Sequence, residues 1–100
     1  MICTLTARTL KPGSYEAFRA AWDPAEAPPA VIGRWKRIYH LRDVNDENVV
    51  ISFGMFDGSL EELREMQGQA GRDRQVERVD PLVEETLLDG SYEVVEEIVN

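Results

Sequence analysis

The chain has 100 residues, enough for one domain with one core, and its composition of 43% hydrophobic and 30% charged residues is that of a soluble globular protein. No apolar run approaches the ~20 residues of a membrane helix, and a net charge of −8 argues against nucleic-acid binding through the general field. One cysteine, Cys3, excludes an intrachain disulfide and reads as a small strand hydrophobe.

The charge is unevenly spread. Residues 1–42 carry seven basic and three acidic side chains, and residues 43–100 carry four and sixteen. The basic group Arg34, Lys36, Arg37 and Arg42 suits either an anionic ligand or a solvated strand edge.

Ile2 to Leu10 alternates as a first strand, with Cys3, Leu5, Ala7 and Thr9 on one face. It lacks the charged start and long apolar centre of a signal peptide, so a cytoplasmic protein is expected. Lys11-Pro12-Gly13 ends the strand, and Ser14 reads as the cap of a helix over 14–23. Tyr15, Phe18 and Trp22 form its aromatic stripe. Pro24, Pro28 and Pro29 make a stiff connector to Gly33.

Trp35 to Arg42 is the second strand. One face carries Trp35, Arg37, Tyr39 and Leu41, the other Lys36, Ile38, His40 and Arg42. A polar turn, Asp43 to Asn48, joins it to a third strand over 48–57 in a hairpin whose register the residues leave open. That third strand, Asn48-Val-Val-Ile-Ser-Phe-Gly-Met-Phe-Asp57, is the most apolar run and reads as mid-sheet, covered on both faces. Helices cover one face; a second subunit is the expected cover for the other.

Asp57-Gly58 turns the chain, and Ser59-x-x-Glu62 reads as a capping box. The helix that follows, 59–79, should be interrupted near Gly68 and Gly71. Asp80-Pro81 reads as the start of a short helix to Leu88, ended by Asp89-Gly90, with a last strand over 91–99. The order strand, helix, strand, strand, helix, strand is the split βαβ pattern of an α+β, ferredoxin-like fold. It predicts a four-stranded antiparallel sheet of order 4-1-3-2 with helices on one face, as a single domain over residues 1–100.

At this point the chain resembles the dimeric α+β barrel superfamily, most closely its antibiotic-biosynthesis-monooxygenase-like branch. The resemblance rests on Leu10-Lys11-Pro12-Gly13 with Phe18 and Trp22 beyond, on Pro29-x-x-x-Gly33, and on Phe56-Asp57-Gly58-Ser59 before the capped helix. It implies a homodimer with its sheets face to face and a pocket between each sheet and its helices. Some members oxidise polycyclic aromatic compounds without metal or flavin; others degrade haem. The haem-degrading pattern needs a first-strand Asn, where this chain has Ala7, and a Trp and His in the second helical region, where residues 59–88 have neither. Haem degradation is therefore rejected.

No metal-binding cluster, phosphate loop or nucleophile elbow is present, so no metal and no cofactor is expected. Adjacent carboxylates such as Glu61-Glu62 diverge on a helix and read as solvated charge. His40 is the single residue suited to proton transfer near neutral pH, with Tyr39 the substitute if the register slips. Phe18, Trp22 and Trp35 are candidate walls for an aromatic substrate, although packing is the commoner role of such residues. Arg8 and Arg37 are candidates to stabilise an enolate-type anion.

Three readings remain: a cofactor-free monooxygenase acting on a small aromatic or polyketide-like molecule, a non-catalytic small-ligand-binding protein, and a structural dimer of the same fold. A pocket, where present, is expected between helices and sheet, bordered by Trp22 and His40, with Ala7 and Ser52 or Gly54 leaving space. Partners are a second copy and a small molecule, with neither nucleic acid nor membrane.

Overall fold

The computed structural model describes residues 1–21, 33–67 and 77–100. Strand β1 (Ile2–Leu10) is followed by helix α1 (Tyr15–Ala21), strand β2 (Trp35–Arg42), strand β3 (Val49–Phe56) and helix α2 (Leu60–Gln67). Residues 77–79 form a helical turn that runs into a 3₁₀ turn, Asp80–Leu82, and then into strand β4 (Val83–Glu93). The four strands form one antiparallel sheet of order β2-β3-β1-β4, the expected 4-1-3-2 order read from the other edge.

Alternation decides which face each strand residue takes. Leu10 and Val50 are buried with Phe18 and Ala21 of α1 and with Val79, and this cluster is the main core. The register aligns Val50 with Arg8, Ser52 with Thr6, Gly54 with Thr4 and Phe56 with Ile2, so these residues share the helical face. Ile51, Phe53 and Met55 pair with Ala7, Leu5 and Cys3 on the other face. No helix among the described residues packs there, and Tyr39, Leu41, Leu88 and Tyr92 are exposed. We call it the open face. Cys3 lies on it half-buried, and burial raises its thiol pKa.

The fourth strand corrects the sequence reading. Residues 83–88, expected as helix, begin β4, and residues 94–99, expected as strand, lie beyond it. Pro81 does start a turn, but a single 3₁₀ one. The nine-residue β1 offers a full edge, and β4 fills it from Leu10↔Val83 to Ile2↔Glu93. Two register shifts accommodate a segment whose local sequence favours helix, so tertiary pairing overrides propensity. Gly90, read as a helix stop, is a strand position where an added Cβ would lie 2.6 Å from the Tyr92 hydroxyl.

The capping box is present as read. The Ser59 N–H donates to Glu62 Oε1 at 3.1 Å and the Glu62 N–H to Ser59 Oγ at 3.1 Å. Arg34 Nη2 adds an ion pair to Glu62 Oε2 at 2.8 Å. The Arg34 bond, followed by those from Ser59, lowers the Glu62 carboxyl to about 2. Its stabilising effect is complete above the ordinary value of about 4.3 and fades as pH falls toward the folded value. Ser59→Ala should cost about 1 kcal/mol, a fall of about 4–8 °C in melting temperature. A melt unchanged within 1–2 °C, roughly the resolution of such a scan against that shift, would show the box to be dispensable.

The expected break near Gly68 and Gly71 and the connector before Gly33 lie outside the described residues. Among the described residues no helix is long and apolar enough to cross a membrane.

Candidate functional site

The hairpin turn decides where His40 points. Asp43 Oδ1 accepts the Asn45 N–H at 2.7 Å, and Asp46 Oδ1 accepts the Asn48 N–H at 3.0 Å. These two side-chain turns lock the connection, with Asp43 N–H bonded to the Val49 carbonyl at 3.0 Å. The register that follows pairs His40 with Ser52 and Tyr39 with Phe53. His40 is therefore on the helical face, and Tyr39 is on the open face.

Reading across the sheet at that level gives His40, Ser52, Thr6 and Asp89 on β2, β3, β1 and β4. This row crosses all four strands at positions that a purely structural core would fill with Val, Ile or Leu. The first three are half-buried and Asp89 is exposed at the edge. His40 Nδ1 lies 2.9 Å from Ser52 Oγ. Where the hydroxyl donates, the imidazole proton is on Nε2; where it accepts, the proton is on Nδ1 and Nε2 carries the basic lone pair. Burial lowers the His40 pKa first, and the positive charges of Arg19 and Arg8 lower it further. Both effects favour the neutral ring, the state in which a histidine accepts a proton.

The other candidates divide between the faces. Arg8 and Phe18 belong with His40: the Arg8 guanidinium lies 5.8 Å from the Phe18 ring centroid, and Phe18 is buried. Arg42 likewise lies over Tyr15 of α1, at 4.6 Å. Trp35 joins them by an irregularity. Phe56 pairs with Trp35 and Met55 with Arg37, which makes Lys36 an extra residue. The bulge breaks the alternation that had grouped Trp35 with Arg37 and Tyr39. The Trp35 indole packs edge-on to Phe56, centroids 5.2 Å apart, and covers Gly54, whose Cβ would meet the ring at 2.9 Å.

Arg37 and Tyr39 lie together on the open face, joined by a bond from Arg37 Nη1 to the Tyr39 hydroxyl at 3.1 Å. Tyr39 also stacks on Phe53 at 5.0 Å. They are therefore separated from His40 by the thickness of the sheet. Trp22 lies outside the described residues. Ala7, expected to leave space beside the helices, pairs with Ile51 on the open face instead. The room at Gly54 is taken by Trp35.

Ser52 as partner of His40, Thr6, Asp89 and Arg19 are the site residues that sequence reasoning passed over. The signal was present in the two central strands, where Thr4, Thr6 and Ser52 interrupt apolar alternation. No group of three or more His, Cys, Asp or Glu able to hold a metal occurs among the described residues.

The sequence matches no family model and no curated protein. Its fold does match solved structures. A protein from Nitrosomonas europaea, provisionally named an antibiotic biosynthesis monooxygenase, superposes with a TM-score of 0.75 at 15% identity, covering 96% of this chain and 100% of that one. SnoaB, a cofactor-independent oxygenase from Streptomyces nogalater, gives 0.74 at 14% identity over 99% of this chain and 97% of its own. An uncharacterised NIPSNAP domain protein from Burkholderia xenovorans gives 0.66 at 12% identity over 100% of both.

Proposed function

Given a chain with the antibiotic-biosynthesis-monooxygenase fold, we propose that it acts on a small aromatic or polyketide-like molecule as a cofactor-independent monooxygenase. The observation that carries this reading is His40 on the helical face, bonded to Ser52, with the Arg8 charge in range. His40 takes a proton from an acidic C–H of the substrate. Arg8 stabilises the enolate left behind, and Phe18 and Trp35 flank the ring. The electron-rich anion reduces dioxygen: one oxygen atom enters the product as a carbonyl, and the other leaves as water with the two hydrogens of the oxidised carbon. The likeness to SnoaB supports this chemistry at the level of fold.

Oxygen uptake with a panel of anthrone- and quinol-type compounds tests it. His40→Ala should lower kcat/KM by about 10²–10⁴-fold with sedimentation unchanged. The wild-type rate should fall in acid with an apparent pKa below the ordinary value of about 6.5, because protonation removes the base. Saturable binding without oxygen uptake would leave the ligand-binding reading standing and end the catalytic one.

We also propose a homodimer. Leu5, Ile51, Phe53 and Met55 of the central strands, flanked by Tyr39 and Tyr92, make a broad apolar surface that a second sheet would cover.

A further inference from the structure

The basic group around β2 divides in the structure. Arg34 is bound to Glu62, Lys36 is the extra residue of the bulge, and Arg37 is bonded to Tyr39 on the open face. Arg42 pairs with Val50 and so stands on the helical face, two residues from His40. Its guanidinium lies over the Tyr15 ring at 4.6 Å. Strands β1 and β2 run the same way, each antiparallel to β3, and α1 folds back against them with Phe18 on Leu10 and Val50. Arg19 is one helical turn beyond Tyr15 on the same side of α1. Four helix residues advance about 6 Å and two strand residues about 6.6 Å. With Tyr15 at Arg42, Arg19 therefore comes level with His40, and its charge acts there.

Arg19 is half-buried, and among the described residues neither it nor Arg42 forms an ion pair. The acids nearest Arg42 in the chain, Asp43 and Asp46, accept N–H bonds within their own turn, and Glu16 and Glu47 are exposed. Asp89 stands on the edge strand β4, three strands and about 14 Å from His40. Toward the start of β2 the same face turns apolar. Ile38 pairs with Gly54 and is 50% exposed, and the Trp35 ring lies over Gly54. Trp35, Ile38, His40 and Arg42 thus follow one another along a single strand as aromatic ring, aliphatic chain, base and cation. From Ile38 to Arg42 this shelf runs about 13 Å, long enough for a fused-ring aromatic with one substituent.

Building on the function proposed above, we infer that its substrate is an anion, an aromatic acid whose rings lie on Trp35 and Ile38 and whose carboxylate is held by Arg19 and Arg42. A guanidinium gives a carboxylate two parallel N–H bonds, which a neutral quinol or amide cannot accept in the same way. Fixed at both ends, such an acid carries its middle carbons past His40, where a proton can be taken. The net charge of −8 repels anions over the molecule as a whole, so a preference for the acid has to come from these local cations.

Calorimetric titration of the full chain with naphthalene-2-carboxylate and with its primary amide tests this. Neither compound carries the acidic C–H that the reaction needs, so binding is read apart from turnover. The carboxylate should bind at least ~10-fold more tightly than the amide. An Arg19→Gln/Arg42→Gln variant should weaken the carboxylate by about 10–100-fold, leave the amide unchanged and keep its far-UV circular dichroism. His40→Ala should keep the preference. Where the double variant fails to fold, Arg42→Gln alone, at an exposed position, decides by the same criterion. Equal binding of acid and amide, binding of neither, or a preference that survives loss of the arginines overturns the anionic substrate. Oxygen uptake with neutral anthrones that depends on His40 would then leave the proposed reaction standing. Arginine-dependent selection of the acid with no oxygen uptake from any compound supports the anion site and ends the proposed reaction instead.

Discussion

Phe18→Ala should destabilise the protein by about 3–5 kcal/mol, the cost of removing a buried aromatic ring and leaving a void. Phe18 is 1% exposed and packs with Leu10, Ala21, Val50 and Val79. It is the point at which α1 is fastened to the two central strands. The same ring carries the Arg8 guanidinium on its face, so its loss also removes that contact beside His40. Domains of this size have about 5–15 kcal/mol of stability in all, so the variant should be near or past the limit of folding. Urea unfolding measures it. A loss below about 1 kcal/mol, far under the range for such sites, would mean that α1 repacks without Phe18 and that the helical layer is held elsewhere.

Phe53→Asp should turn the proposed dimer into a folded monomer. Phe53 is half-buried, stacks on Tyr39 and lies on a central strand of the open face. In one copy alone the new carboxylate would reach water beside Tyr39. In a face-to-face pair it would be taken out of water, and burying a charge costs several kcal/mol even with Arg37 nearby on the same face. Dimer affinity should fall by at least two orders of magnitude, about 2.7 kcal/mol. Sedimentation equilibrium with a thermal melt checks both halves. A dimer that survives the substitution would place the interface on another surface.

The parts of this fold legible in the sequence are those fixed by short-range rules. Ser59 and Glu62 make their reciprocal bonds because a hydroxyl and a carboxylate three residues apart reach the free N–H groups of a helix start. The apolar run of β3 belongs in mid-sheet because both its sides are covered by other strands. What was not legible depends on distant partners. The helix expected after Pro81 is a strand because β1 offers an edge that residues 83–93 complete. Trp35 shares a face with His40 through a bulge at Lys36, and no property of Lys36 announces an extra residue. The polar row of the site belongs to the same class. His40 stands out in the sequence, but nothing in Ser52, Thr6 or Asp89 marks them as its neighbours, and only the register sets the four in line.

The place of β1 between β3 and β4 has a consequence for synthesis. Ile2 and Val83 lie in strands that hydrogen-bond side by side, yet the whole of the intervening chain must be made before they meet. At ribosomal speeds of about 5–20 residues per second, the β4 edge of β1 waits roughly 4–16 s for its neighbour. Through that interval Cys3, Leu5 and Ala7 belong to a strand with an unpaired side, which invites pairing with another nascent chain. The long loop to be closed also places folding toward the slow end for a domain of this length. Yield during expression should therefore respond to temperature and to elongation rate more than the stability of the finished protein would suggest.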